Sequence, residues 1–153
     1  MDIEKINIED YPFLDKIGKE CLPISYDTED IIFLDKIEKN NLMLKGVVNE
    51  NIIGFIFCSF NKEINNIHIN SFAIKAEYRR KGYGKDLIDF IKKYKTNITL
   101  NVLETNDNAI HFYKAQGFIL KQIKKKYYET LNNKDAFFFE YLNLKKYKKY
   151  LLF

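Results

Sequence analysis

The chain holds two arginines, and they stand side by side in the stretch YRRKGYGKDL, from Tyr78 to Leu87. Every other basic side chain outside its two histidines is lysine. Arg79 and Arg80 are planar, permanently charged forks that match pairs of phosphate oxygens. Gly82 and Gly84 follow directly and lack a Cβ, so a ligand can approach the backbone there. A helix starting at this point leaves its first N–H groups unpaired, with the positive end of its dipole beside them. Arginine forks, bare backbone and a helix start together make an anion site suited to a diphosphate. The plainer alternative is a basic helix start with glycines in a turn.

His68 is a second candidate, a possible base acting directly or through water, because it titrates near neutrality. In a regular strand it points the same way as Phe72 and Ile74, whereas Ile67, Ile69, Ser71 and Ala73 face the other side. Its alternative is a histidine satisfied at a sheet surface. His111 has no acidic residue placed to orient it and reads as a surface group. Lysines 121, 124–126, 145, 146, 148 and 149 are interleaved with Tyr127, Tyr128, Tyr147 and Tyr150. That mixture can make a nucleic-acid surface. A solvated lysine face is the better account, since the pI of 8.8 falls short of that expected for a nucleic-acid domain. No G-x-x-x-x-G-K-[ST] occurs, and the glycines lack dinucleotide-fold spacing. Cys21 and Cys58 are too few and too distant for a disulfide framework or zinc cluster. They fit a reducing, cytoplasmic setting without a metal.

These groups must be positioned by a chain of 153 residues, 46% hydrophobic and 30% charged, with net charge +4. That is the composition of a globular protein, and we expect a single domain over residues 1–153. No stretch approaches the ~20 apolar residues of a membrane helix, and the acidic, alternating start MDIEKINIED does not read as a targeting peptide. Ile3, Ile6 and Ile8 suggest a first strand. Helices are expected from near Pro12 and from Thr28 as N-cap. Leu42–Val48 and Ile52–Phe60 read as a hairpin, Ile64–Ile74 as a further strand. Leu87, Ile88, Ile91 and Tyr94 recur at helical spacing. Ile98–Leu103 is a strand, and Ala109–Tyr113 lies on a helix closed by Gly117. Strands near Phe118–Tyr128 and Ala136–Leu144 finish the chain. The order is βααβββαβαββ, an α/β fold with a mixed sheet.

Arg79-x-x-Gly82-x-Gly84 matches the R/Q-x-x-G-x-G/A loop of GNAT-type N-acetyltransferases, and the chain resembles that superfamily. The resemblance extends from about Ile67 to Phe118. SFAIKAEYRRKGYGKDLI resembles the family's strand–loop–helix unit, with Ala76 where many members carry proline. In LNVLETNDNAIHFYKAQGF, residues Asn106, Ala109, Phe112, Tyr113, Gly117 and Phe118 fall on the spacing N-x-x-A-x-x-F-Y-x-x-x-G-F.

The resemblance implies a GNAT fold: a mixed, mostly antiparallel sheet of about seven strands flanked by about four helices. It implies acetyl-CoA as acetyl donor, with its pyrophosphate on Arg79, Arg80, Lys81, Gly82, Tyr83 and Gly84. The pantetheine arm would pair beside Phe72, Ala73 and Ile74, where a backbone N–H polarises the thioester carbonyl. A neutral amine would attack directly. Tyr113 matches the tyrosine that protonates the leaving thiolate, with a core aromatic as its alternative. Asn106 matches a residue that contacts the cofactor arm and also caps its helix. Members acting on ribosomal-protein amino termini often carry a glutamate base where Asn101 stands here, and Asn101 cannot accept a proton. The acceptor is expected to be chosen by residues 12–40 and by the loop Thr130–Asp135. Asp15, Glu20, Asp27, Glu29 and Asp30, with Glu129 and Asp135, suggest an acidic mouth for a cationic amine. A small amine, an amino acid, a polyamine and a peptide amino terminus all remain open, no membrane or nucleic acid is expected as partner, and a homodimer through the C-terminal segment is conceivable. A non-catalytic acyl-CoA-binding module is the alternative to an enzyme.

Overall fold

In a computed structural model that describes residues 1–37 and 40–144, seven strands form one sheet in the order β1-β2-β3-β4-β5-β7-β6. Along the chain these are β1 (Asp2–Lys5), α1 (Tyr11–Cys21), α2 (Thr28–Ile37), β2 (Asn41–Val48), β3 (Asn51–Asn61), β4 (Asn66–Ile74), α3 (Tyr83–Lys92), β5 (Asn97–Leu103), α4 (Asp107–Ala115), β6 (Ile119–Tyr128) and β7 (Lys134–Tyr141). The expected order βααβββαβαββ is the observed one. All neighbouring strands are antiparallel except β4 and β5.

Each sheet face buries its own cluster. Leu87, Ile88 and Ile91 of α3 and Ile110 of α4 pack on Ile67, Ile69, Ile98, Leu100 and Phe139. Leu14 and Ile17 of α1 and Ile31 of α2 cover Phe55, Phe57 and Ala73 on the other face. Helical spacing of apolar residues produces both stripes. On β5 the alternation is clean, with Ile98, Leu100 and Val102 in the α3/α4 cluster and Thr99 and Asn101 opposite.

On β4 the alternation fails, and this corrects the expected facing of His68. Cys58 pairs with Ile69 and Phe57 with Ser71, leaving Asn70 as an extra residue. A bulge reverses the parity of every residue beyond it. Ile67 and Ile69 therefore share the α3/α4 cluster with Ile74 and Phe72, while Ala73 joins the α1/α2 cluster. His68 lies on the face opposite Phe72 and Ile74.

Local signals account for the smaller departures. Ile8 does not extend β1; it sits 66% exposed in a 3-10 turn, Ile8–Asp10. Asp27, rather than Thr28, caps α2: its carboxylate accepts the Asp30 N–H at 2.9 Å, and the Asp30 carboxylate accepts the Asp27 N–H at 3.2 Å. The Thr28 hydroxyl donates to Asp15 instead. Asn49 and Glu50, both left-handed at φ 48° and 64°, make the two-residue β2–β3 turn. Gly117, at φ 87°, follows α4 as expected. β7 ends at Tyr141. Lys145, Lys146, Tyr147, Lys148, Lys149 and Tyr150 lie outside the described residues, so the expected C-terminal pairing surface falls there too. No helix among the described residues is long and apolar enough to cross a membrane.

Candidate active site

β4 and β5 pair only from Asn66–Ile69 to Asn97–Leu100. Beyond that point they part, and the free edge of β4 through Phe72, Ala73 and Ile74 has no strand beside it among the described residues. The opening leads to a cavity of about 320 Å³. Its walls come from the α1–α2 loop (Leu22–Tyr26), from β4 and β5, from Asn106, Ala109 and Tyr113, and from Tyr127 and Tyr128. None of the lining side chains is an aspartate, glutamate, lysine or arginine.

The arginine–glycine loop joins the end of β4 to α3. Arg79 donates its Nε to the Ile74 carbonyl at 2.8 Å, tying the loop to the strand. Arg80 makes no such bond among the described residues and is left-handed at φ 59°. Gly82 is left-handed at φ 88°, and nothing stands within 4 Å of where its Cβ would project. Gly84 differs from the expectation: a Cβ there would come 3.3 Å from the Phe112 ring and 3.4 Å from Phe72. Its missing side chain admits the helix to its neighbours, not a ligand to the backbone. Asp86 is the first residue of α3 to return its N–H to a carbonyl, that of Gly82 at 3.0 Å. The N–H groups of Tyr83, Gly84 and Lys85 therefore have no intrahelical partner. Lys81 stands 5.4 Å from the Tyr78 ring centre, and Tyr83 packs on Tyr78.

Tyr113 is 7% exposed, among the rings of Phe72, Phe112 and Phe118 at 6.3, 5.2 and 5.4 Å. Burial, with smaller contributions from Cys58 and Tyr128, pushes its hydroxyl pKa well up. It stays protonated at neutral pH, as a proton donor must. Asn106 caps α4, its Oδ1 accepting the Ala109 N–H at 3.2 Å, and it also lines the cavity.

Tyr127 and Tyr128 reach the cavity by a device the sequence concealed. Adjacent residues of a regular strand face opposite ways, so a regular β6 would turn only one of the two toward the cavity. The register between β6 and β7 breaks from Lys124 to Tyr128, and Lys126 is left-handed at φ 52°. Asp135 holds this bulge, accepting the Lys126 N–H at 2.9 Å and the Lys125 ammonium at 2.7 Å. Glu104 accepts the Asp135 N–H at 3.2 Å, and its own N–H donates to the Asp135 carbonyl at 3.1 Å. The left-handed asparagines Asn132 and Asn133 turn the chain back into β7.

The expected acidic mouth is thereby corrected. Asp135 is spent on the bulge, Asp15 on Lys19 and Thr28, and Asp27 and Asp30 on each other. Glu20 lies near Lys16 at 3.9 Å. The lysines of β6 also have protein partners: Lys121 meets Glu140 at 3.6 Å, and Lys124 lies 4.4 Å from the Phe138 ring centre. His68 lines the cavity from β4, its Nδ1 2.9 Å from the Thr99 hydroxyl. Burial, then the Lys124 charge, lowers its pKa and keeps it neutral. Asn101 faces the same space; its Nδ2 lies 3.4 Å from the Tyr127 hydroxyl, and its buried Oδ1 has no partner. The α1–α2 loop, Leu22–Tyr26, lies within residues 12–40, the segment expected to choose the acceptor, and Pro23 marks it between two helical stretches.

A seven-stranded, mostly antiparallel sheet, opened where its parallel pair diverges and followed by a glycine-rich helix start, defines the acyl-CoA N-acyltransferase class. Residues 2–118 match the family model described as the acetyltransferase (GNAT) family, and the chain belongs to that family. It is 28% identical over 131 residues to the probable N-acetyltransferase san of Drosophila melanogaster, across 80% of this chain and 70% of that protein. It is 29% identical over 131 residues to N-alpha-acetyltransferase 50 of Danio rerio, across 80% and 77%. Arabidopsis thaliana Naa50 in complex with the bisubstrate analogue CoA-Ac-MVNAL has the same fold, with a TM-score of 0.79 at 22% identity over 92% of this chain and 97% of that one. An acetyl-CoA-dependent N-acetyltransferase is therefore the enzyme class, as the arginine–glycine loop led us to expect.

Proposed function

We propose that the chain transfers the acetyl group of acetyl-CoA to the amino terminus of a peptide. The observation that carries the acceptor class is the uncharged lining of the cavity. A polyamine needs carboxylates to hold its distal ammonium groups, and no aspartate or glutamate lines the cavity. Leu22, Pro23 and Ile24 offer an apolar wall for a first side chain, and Tyr127 and Tyr128 offer hydroxyls to a peptide backbone. The name of the zebrafish relative and the analogue bound by the Arabidopsis neighbour agree with this reading.

The donor would lie along the free edge of β4, its arm hydrogen-bonded to the backbone of Phe72–Ile74 as an added strand does. Its diphosphate would rest on Arg80, on Gly82 and on the N–H groups of Tyr83, Gly84 and Lys85. Arg79 and Lys81 would add charge around it, and Asn106 Nδ2 is placed to meet the arm. The amine nitrogen attacks the thioester carbonyl carbon, and a β4 N–H near Ile74 stabilises the oxygen as charge builds there. The C–S bond then breaks, the Tyr113 hydroxyl passes its proton to the departing sulfur, and the proton lost by the amine goes to water.

The experiment is to incubate the chain and acetyl-CoA with MVNAL, and separately with spermidine. Free thiol and an acetylated peptide α-amine are expected, with no acetyl-spermidine. Turnover of spermidine alone would overturn the acceptor class.

A further inference from the structure

His68 is the group in this cleft that looks most like a base, yet its hydrogen bonds leave it no free lone pair. Thr99, 8% exposed, has two side-chain contacts. Asn66 Nδ2 lies 2.9 Å from its Oγ1 and can only donate. His68 Nδ1 lies at the same 2.9 Å. A buried hydroxyl needs an acceptor for its own proton, and between these two only the imidazole nitrogen can be one. The proton order therefore runs from Asn66 to Thr99 to His68 Nδ1. In the neutral ring the remaining proton is then on Nε2. Burial and Lys124, the charged group acting on the ring from β6, keep the ring neutral.

We propose that Asn66 and Thr99 lock His68 as the Nε2–H tautomer, making it a fixed hydrogen-bond donor of the acceptor cleft instead of its general base. Nε2 has no protein partner among the described residues, and His68 lines the cavity. A fixed donor facing this space matches a carbonyl of a bound peptide. This assignment of a carbonyl to His68 rests on the peptide-acceptor reading; the tautomer does not.

Long-range 1H–15N spectra of the uniformly labelled wild type test the tautomer without any substrate. The chain has two histidines, so a His111→Gln variant identifies the His68 signals. We expect a protonated Nε2 and an unprotonated Nδ1 from pH 6 to 8. A proton on Nδ1, or an imidazolium in that range, would overturn the proposal. Asn66→Asp exchanges the donor for an acceptor, so the Thr99 proton should turn to the carboxylate and the His68 proton should move to Nδ1. An unmoved tautomer would contradict the relay. In kinetics with MVNAL, His68→Leu should raise the peptide KM about five- to tenfold, the worth of one neutral hydrogen bond, with kcat affected less. His68→Gln, which keeps an N–H donor, should recover part of that loss in KM. Equal loss of kcat in both variants would mean a base. If the wild type acetylates no peptide, the acceptor reading fails while the tautomer result stands.

Discussion

Arg79 Nε donates to the Ile74 carbonyl at 2.8 Å and ties the loop to β4, while the adjacent Arg80 makes no side-chain hydrogen bond among the described residues. Arg80 also carries left-handed strain, φ 59°, which costs an L residue about 1–2 kcal/mol. Arg80→Gly should leave the melting temperature unchanged or higher while raising the acetyl-CoA Kd about tenfold or more. Arg79→Ala should lower the melting temperature and also weaken acetyl-CoA binding. Thermal melts and calorimetry on the two variants separate these roles; matching behaviour would refute the division.

The two glycines should also part company. Gly82→Ala meets no neighbour, so its stability cost should be the left-handed strain alone, about 1–2 kcal/mol. Gly84→Val pushes into Phe112 and Phe72 and should cost about 1–3 kcal/mol by overpacking. It should disturb Tyr113 as well, because Phe112 and Phe72 both pack on that ring. Turnover with saturating acetyl-CoA should fall in Gly84→Val more than in Gly82→Ala.

Tyr113→Phe should lower kcat by about 10²–10⁴-fold with acetyl-CoA affinity nearly unchanged. Stopped turnover with retained binding is the expected pair of readings. Full activity would make Tyr113 a core aromatic and nothing more.

Asp135 touches no part of the cavity lining, yet it holds the bulge that turns Tyr127 and Tyr128 inward. Asp135→Ala should raise the peptide KM several-fold, up to about tenfold, and leave the acetyl-CoA Kd alone. Unchanged peptide kinetics would show that the tyrosines hold their place without it.

Tyr11 and Tyr128 contribute to an alkaline limit, alongside the buried Tyr113 and Cys58, whose pKa values burial also raises. Asp35 accepts from the Tyr11 hydroxyl and raises its pKa to about 12, and burial raises Tyr128 to about 12, both from 10.0. Between pH 10 and 12 the unfolded chain ionises these two groups while the folded chain keeps them protonated. The unfolded state then binds fewer protons, so their contribution to stability falls as pH rises through that window. Tyr11→Phe should weaken this dependence in melts at pH 9 to 12.

The order of elements was legible because apolar periodicity and turn residues act locally, as at Gly117 and at Asn49–Glu50. The arginine–glycine loop was legible because residue types rare elsewhere in the chain cluster there. Neither bulge was. Asn70 inserts one residue and reverses which side chains share a face beyond it, and the Lys124–Tyr128 break adds two residues to β6; no glycine marks either. That is why His68 was assigned to the wrong face and why Tyr127 and Tyr128 were read only as part of the lysine-rich stretch. The acidic residues misled for a different reason: composition shows charge, but only hydrogen-bond partners show whether the charge is already spent. The packing role of Gly84 was not legible, since its neighbour Phe112 lies 28 residues away in sequence.

The most direct test of the central claim is calorimetric titration of the wild type with acetyl-CoA and with S-acetylpantetheine, which lacks the diphosphate. Micromolar binding of acetyl-CoA with none detectable for S-acetylpantetheine is the result expected if the turn from Arg80 to Lys85 holds the diphosphate. Equal affinity for both, or no binding of acetyl-CoA, would contradict it.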